Sequence, residues 1–385
     1  MMETSRTFGR SIMRGLARYG RGHGSWAYYK RAPFYWGGGN GKVTADDVRR
    51  LGADGLILRE QRTAGLTENI LATGLPAVVS PYTEPFEGVP NIVTDDIAIG
   101  RMAAEYLLHR GFRVFAYCGF GPMYYWSRQR AKGFTERIAA EGCRTFCYEY
   151  EHPPSGMPHS WQEEQDVLIE WLRGLPQPAG LMACNDDRSQ YVLEACMMAG
   201  LEVPEQIAVI GVGNDTLVCD LVTPPLSSIA LSTERAGYEA AALLDAMMSG
   251  RQVTPRSVIV RPTHVVTRRS TDVFAVQDHA VSAALRFIYE RAGQEPIQVD
   301  DVLPIVALSR RTLYQRFAEI LGRSVHEEIK RVRVDQLARL LVSTKLPVSQ
   351  IALSMGCKDI KNIARYFRQQ KGMTPSEYRK SHSLQ

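Results

Sequence analysis

The sequence predicts an α/β domain over residues 1–272, a short linker at 273–278, and an all-α domain with two helix-turn-helix units over 279–385. Three observations carry this. Up to about residue 272, short apolar runs alternate with segments of helical periodicity, the pattern of parallel strands covered by helices. Beyond Asp278 the pattern is almost purely helical. The charge is also divided. Residues 278–385 hold 18 Lys+Arg and 11 Asp+Glu, a balance of +7; the remaining 28 and 30 give −2. A basic terminal segment beside a larger, nearly neutral one points to a nucleic-acid-binding module attached to something else.

Composition narrows the field further. At about 150 residues per domain, a chain of 385 suggests two to three domains. With 45% apolar and 23% charged residues it reads as ordinary globular protein. No apolar run approaches the roughly 18 residues of a membrane helix, and the start, MMETSRTFGR, has no signal-peptide core. A cytoplasmic protein without a membrane partner is expected. Seven cysteines with no C-x-x-C pair fit reduced thiols. Cys143 and Cys147 are four apart but lack companion ligands, so neither a metal nor a cofactor is expected.

In chain order, strands are predicted at Gly55–Leu58, Ala77–Ser80, Ile92–Thr94, Val114–Cys118, Leu181–Cys184 and Ala208–Val212, with closing strands at Val258–Val260 and His264–Val266. Ile99, Met102, Ala103, Tyr106 and Leu107 recur at helical spacing, and further helices read at about 128–141, 161–174, 188–200 and 233–249. Ligands of such sheets bind beyond the carboxyl ends of the strands. That singles out Asp95, Asp96, Gly119, Asn185, Asp186, Gly213, Asn214 and Asp215.

The terminal domain reads as two units of one design. Val299–Val306 is a short helix, and Ser309 caps a second from Arg310 to Leu321. Leu313 and Phe317 face its core, leaving Arg310, Arg311, Tyr314 and Gln315 on other faces. Val348–Met355 is the next short helix, stopped by Gly356, and Asp359 caps a helix from Ile360 to Gln370. There Ile363 and Phe367 are the buried pair; Lys361, Asn362, Arg365 and Arg368 point outward. Arg reads guanine and Gln or Asn reads adenine through paired hydrogen bonds in the major groove. Between the units, His326–Val342 should be one helix, roughly 25 Å long at 1.5 Å per residue, which would set the two recognition helices about one DNA turn apart. A plain helical bundle with solvated basic faces is the competing reading.

The residues 297–379 resemble the AraC family of bacterial transcription regulators. The likeness rests on the doubled unit, on Ser349-Gln350-Ile351-Ala352 with Gly356, and on Phe367-Arg368 followed by Gly372-Met373-Thr374-Pro375-Ser376-Glu377-Tyr378-Arg379. The first 272 residues resemble the LacI-type, periplasmic-binding-protein-like sensor, a two-lobed α/β fold. The strings that carry this are Gly52-Ala53-Asp54-Gly55-Leu56-Ile57, Thr94-Asp95-Asp96, Arg130-Ala131-Lys132-Gly133-Phe134, Ala183-Cys184-Asn185-Asp186-Asp187 and Val209-Ile210-Gly211-Val212. That order of domains is similar to the xylose operon regulators.

The resemblance implies a regulator that binds double-stranded DNA in response to a small sugar, xylose or a related pentose, as a homodimer and without catalysis. It implies sugar contacts at Asp95, Arg130 and Asn185, with Asn214 kept as a strand-end candidate. Trp126 and Tyr125 would stack on the ring, and Arg130 can donate to two acceptors at once. Each has a plainer alternative: Asp95 and Asn185 as helix caps, Trp126 as core, Arg130 in an ion pair. Two departures stand out in the sensor and one in the reader. Gly213 occupies the place where the family usually has Asp, with Asp215 a possible substitute one step on. The chain also begins at a stretch, Glu3–Arg10, that a first strand usually precedes, so that strand is expected to be absent. Cys357 and Asp359 stand where the family has an aromatic residue and Ser. A ligand-independent regulator with a degenerate sensor is therefore a second reading, and an α/β enzyme with a helical accessory domain a remote third. Against the enzyme, no P-loop, dinucleotide fingerprint, nucleophile elbow or metal-spaced histidine is present, and His152 and His159 flank a Pro-rich loop. A contact with RNA polymerase, also expected of such regulators, leaves no readable motif.

Overall fold

The computed structural model describes residues 4–24, 26–29, 43–61, 63–149, 161–251, 253, 256–357 and 360–383. The elements run α1 (Thr7–His23), α2 (Ala45–Leu51), β1 (Leu56–Arg59), α3 (Leu66–Leu71), β2 (Ala77–Ser80), β3 (Ile92–Thr94), α4 (Asp96–His109), β4 (Val114–Cys118), α5 (Tyr125–Ala139), β5 (Thr145–Cys147), α6 (Trp161–Arg173), β6 (Ala179–Ala183), α7 (Asp186–Ala199), β7 (Ile207–Val212), α8 (Thr216–Leu221), β8 (Ser227–Leu231), α9 (Thr233–Met248), β9 (Val258–Val260) and β10 (Pro262–Val266). A 3-10 turn at Arg269–Thr271 follows. The helical part then comprises α10 (His279–Arg291), α11 (Val299–Val306), α12 (Arg310–Leu321), α13 (Val325–Ser343), α14 (Val348–Ser354), α15 (Ile360–Lys371) and α16 (Pro375–His382).

These elements form two compact units. The first comprises residues 1–96, 122–129 and 232–261. Its strands pair in parallel, β1 with β2 and β3 with β9, and a bridge from Val79 to Asn91 links the pairs. Val48, Leu58, Ile70 and Val79 are its buried apolar core. Helices α1 and α9 approach closely because glycines face each other: a Cβ on Gly15 would lie 2.0 Å from the Glu234 carbonyl oxygen, and one on Gly237 would lie 2.2 Å from that of Ile12.

The second unit comprises residues 97–121, 130–231 and 262–385. Its six-stranded sheet has the order β10-β8-β7-β6-β4-β5. Every residue of β6 and β7 is buried, so both read as unbroken apolar runs. The expectation of purely parallel strands needs correction: β10 runs antiparallel to β8 and closes the sheet. Two strands, β5 and β8, escaped the sequence reading. β8 opens on Ser227 and Ser228, both fully buried, and its polar start hid it. Those hydroxyls are satisfied inside, Ser227 donating to the Arg268 carbonyl (2.9 Å) and Ser228 to Asp186 (2.5 Å).

The helical part of this unit has two cores strung along α13, a helix of 19 residues and roughly 28 Å. One gathers Phe274, Leu285, Ile288, Val302, Leu313, Phe317 and Ile329; the other gathers Leu337, Leu341, Ile351, Phe367 and Tyr378. Side-chain caps fix the helix starts: Ser309 accepts from the Thr312 N–H (3.1 Å), and Ser324 and Thr374 form capping boxes with Glu327 and Glu377. Gly356 stops α14 in the left-handed region at φ 67°. The stretch read as a linker is anchored, since Phe274 lies in the first core and the Ala275 N–H donates to the Arg110 carbonyl (2.8 Å).

Helical and sheet parts are joined by further polar contacts. Arg323 donates to the His109 carbonyl at the end of α4 (3.0 Å), Arg113 to the Ile320 carbonyl (3.0 Å), and the Tyr378 hydroxyl to the Thr263 carbonyl of β10. Beneath them Glu328, fully buried, lies between Arg323 and Arg331; Arg331 (2.9 Å) and Lys371 (2.7 Å) then share Asp335. Burial alone would raise the Glu328 carboxyl, but Arg331 and then Arg323 outweigh it and hold it at about 2.

Candidate functional site

In the helical part, α12 and α15 are the second helices of the two units, and the apolar pairs orient them. Leu313 and Phe317 on α12, and Ile363 and Phe367 on α15, face the cores. The residues between them are thereby turned outward. Arg310 and Arg311 are exposed at the start of α12; Arg310 pairs with Asp300 of α11, while Arg311 has no ion-pair partner among the described residues. Tyr314 is half-buried against the first core, and the Gln315 amide donates to Glu319 (2.9 Å). On α15, Lys361, Asn362, Arg365 and Arg368 are all exposed. Arg365 donates to the Asn362 side-chain oxygen Oδ1 (3.1 Å) and lies 5.3 Å from the Tyr366 ring centre. The proposed cap Asp359 falls outside the described residues, as do His152 and His159. Each unit thus offers a short helix and then a second helix carrying exposed basic and amide groups, the layout of a major-groove reader.

In the second unit, the carboxyl ends of β6 and β7 carry Asn185, Asp186, Gly213 and Asn214. Asn185 caps α7, its side chain accepting from the Arg188 N–H (2.8 Å). Arg130, only 6% exposed, donates to the Cys184 carbonyl (2.6 Å). Its position is set by contact between α4 and α5, where a Cβ on Gly100 would lie 2.2 Å from the Arg130 carbonyl oxygen. Asn214 sits at φ 50°, and its side-chain oxygen accepts from Arg268 (3.0 Å). The place where Asp was expected has a physical explanation. Gly213 lies at φ 125°, and a Cβ there would be 3.1 Å from an oxygen of Asp186. That carboxylate already fills the space, accepting from Ser228 and from the Asp215 N–H (2.7 Å). Burial raises its pKa to about 6, against the lowering effect of those two hydrogen bonds. Asp215 is turned inward, only 6% exposed at the head of α8. Arg188, fully buried and paired with Glu164 beside Phe120 and Tyr148, is a strand-end group that sequence reasoning took only as the start of a helix.

In the first unit, Asp95 immediately precedes α4, and its N–H donates to the Val260 carbonyl (2.9 Å). Trp126 is half-buried in the first turn of α5, 5.6 Å from Tyr124, which in turn lies 6.4 Å from Tyr82. Sequence reasoning missed the centre of this group. Arg59, at the carboxyl end of β1, stacks 3.8 Å above the Tyr82 ring and 5.6 Å from Phe8. Glu60 fixes the loop after β2 by accepting from the Tyr82 and Thr83 N–H groups and the Thr83 hydroxyl. The available signal was the strand-end rule itself: β1, read as Gly55–Leu58, leaves Arg59 just beyond its end, yet only the ends of later strands were singled out. Asp95, Trp126 and Arg59 thus fall in the first unit, and Arg130, Asn185 and Asn214 in the second.

An α/β sensor of this architecture followed by two helix-turn-helix units defines a DNA-binding transcription regulator. Residues 104–271 match the periplasmic binding protein-like domain family, and 304–381 match a helix-turn-helix domain family. The xylose operon regulatory protein of Haemophilus influenzae is 30% identical over 340 residues, covering 87% of each chain. That of Escherichia coli K12 is 32% identical over 298 residues, 77% of this chain and 75% of the other. The structure of a xylose-binding transcription activator, xylR, matches with a TM-score of 0.60 and 27% identity, over 100% of this chain and 97% of that one. The chain belongs to the family of xylose operon regulatory proteins. Among the described residues, no helix is long and apolar enough to cross a membrane.

Proposed function

We propose that this chain binds xylose or a related pentose through the strand-end groups of its sensor, and that occupancy shifts its affinity for DNA. The observation that carries the reading is the likeness to xylose operon regulatory proteins over most of both chains, sensor and reader together. The chemistry agrees with it. Asp95, Arg130 and Asn185 supply acceptors and donors for ring hydroxyls, Trp126 an apolar face, and Arg59 a further donor that the fold brings to a strand end. Asn214 joins the set through its amide donor, its oxygen being taken by Arg268. Arg311, Gln315, Lys361, Asn362, Arg365 and Arg368, with Arg310 and Tyr314, are assigned to bases and phosphates. The sensor is assigned to 1–272 and the reader to 279–385, joined by 273–278. The protein works in the cytoplasm as a homodimer, performs no catalysis, and contacts RNA polymerase when it activates.

Ligand that binds only the folded protein stabilises it by RT ln(1 + [L]/Kd), about 2.7 kcal/mol at a hundredfold excess over Kd. Xylose should therefore raise the melting temperature of the full chain by several degrees, and hexoses should do less. Arg130→Met keeps the stem and removes the fork, so its apparent xylose affinity should fall at least about tenfold, or 1.4 kcal/mol. No shift with any pentose would favour the ligand-independent reading, for which the loss of Asp at Gly213 is the specific observation.

A further inference from the structure

Apart from the strand ends, the second unit contains a cavity of about 780 Å³ between its sheet part and its helical part. Its walls are the α4 face with Tyr106 and His109, His264 of β10, Arg286 and Tyr289 of α10, and Arg331 and Arg339 of α13. This volume lies within the range of small-molecule sites. The lining is cationic: Arg110, Arg137, Arg286, Arg331, Arg339 and Lys371 outnumber four acidic side chains. Two of those acids are already engaged, Glu105 by Arg137 (3.5 Å) and Asp335 by Arg331 and Lys371.

Three cations are not so engaged. Arg110 is only 2% exposed, yet no carboxylate meets it among the described residues. Its guanidinium lies among the rings of Tyr106 (4.7 Å), Phe274 and Tyr289 (both 5.3 Å), and its Nε has no hydrogen-bond acceptor. Arg286 and Arg339 stand exposed at the same cavity, without ion-pair partners among the described residues. A buried Arg without its anion is costly, and planar guanidinium forks match phosphate oxygens two at a time. The positive field also acts on the two histidines. Burial and then Arg331 and Arg323 lower His109 to about 3, and burial and then Arg339 and Lys371 lower His264 to about 4.

We propose that this cavity is a second effector site, distinct from the sugar site, that takes a small phosphate monoester such as a sugar phosphate. The phosphate sits among Arg110, Arg286 and Arg339, while Asp272 and Glu290 accept from the hydroxyls of its body. Because the walls come from both the sheet part and the reader, occupancy favours one placement of the reader, and by linkage it changes DNA affinity by the factor that DNA changes ester affinity.

The test is calorimetric titration of the full chain with ribose 5-phosphate, glucose 6-phosphate and inorganic phosphate as probes. At least one ester should bind, and more tightly than inorganic phosphate. Arg286→Ala with Arg339→Ala, both on exposed positions, should weaken that binding at least tenfold and leave the xylose-induced rise in melting temperature unchanged. Arg110→Met should do the same. No ester binding at millimolar concentration would overturn the proposal, and so would equal binding by the variants. Retention of the xylose effect throughout separates this site from the sugar site.

Discussion

Arg311→Ala combined with Lys361→Ala is expected to weaken specific DNA binding by about 2–4 kcal/mol, roughly 30- to 800-fold. The two residues sit on the second helices of the two units, so the double variant removes one contact from each. Arg311 is the sharper of the two. Its neighbour Arg310 is paired with Asp300, whereas Arg311 is exposed without an ion-pair partner among the described residues. Separation of the single variants is informative. A lost phosphate contact weakens all sequences alike and reduces the salt slope by about 1, whereas a lost base contact relaxes preference at one position. Titrations at two salt concentrations, on specific and non-specific duplexes, distinguish them. Unchanged affinity in the double variant would remove α12 and α15 from the interface.

The second large effect concerns the joint between sensor and reader. Glu328→Gln is expected to cost about 3–5 kcal/mol, because it leaves Arg323 and Arg331 half-buried without their shared anion. The pH dependence follows from the carboxyl being held at about 2 in the folded chain, below its ordinary value of 4.5. A depressed folded value means that the stabilisation is fully present above the ordinary glutamate range. It is lost as the pH falls through that range toward about 2. Wild type should therefore lose stability steeply in this interval, and the Gln variant should start lower and fall less. Thermal melts at pH 7 and pH 3.5 provide the check; a variant as stable as wild type at pH 7 would show the network to be energetically idle.

Local signals explain which features were legible in the sequence. The boundaries of α11 and α12 could be read because Ser309, Leu313 and Phe317 encode cap and buried face within nine residues. Strands β2, β3, β4 and β9 were legible as short apolar runs bounded by turn residues. β8 was not, because its buried serines are satisfied by Arg268 and Asp186, partners some 40 residues away. The same limit governs the sites. Strand-end position selected Asp95 and Asn185, but it could not reveal that Arg59 stacks on Tyr82. Nor could it reveal that Asp186 occupies the space beside Gly213, which makes the missing Asp intelligible. The Glu328–Arg331–Asp335–Lys371 network and the cavity near it arise only where α4 and β10 meet α13, so no stretch of sequence announces them.

The most direct test of the central claim is fluorescence anisotropy of the full chain on DNA from upstream of its own and neighbouring genes, with and without xylose. The account predicts tight, sequence-selective binding that xylose shifts by about tenfold or more, and that the Arg130→Met chain shows without the shift. Tight binding indifferent to xylose and to every other pentose would contradict it, leaving the reader intact and the sensor without its assigned ligand.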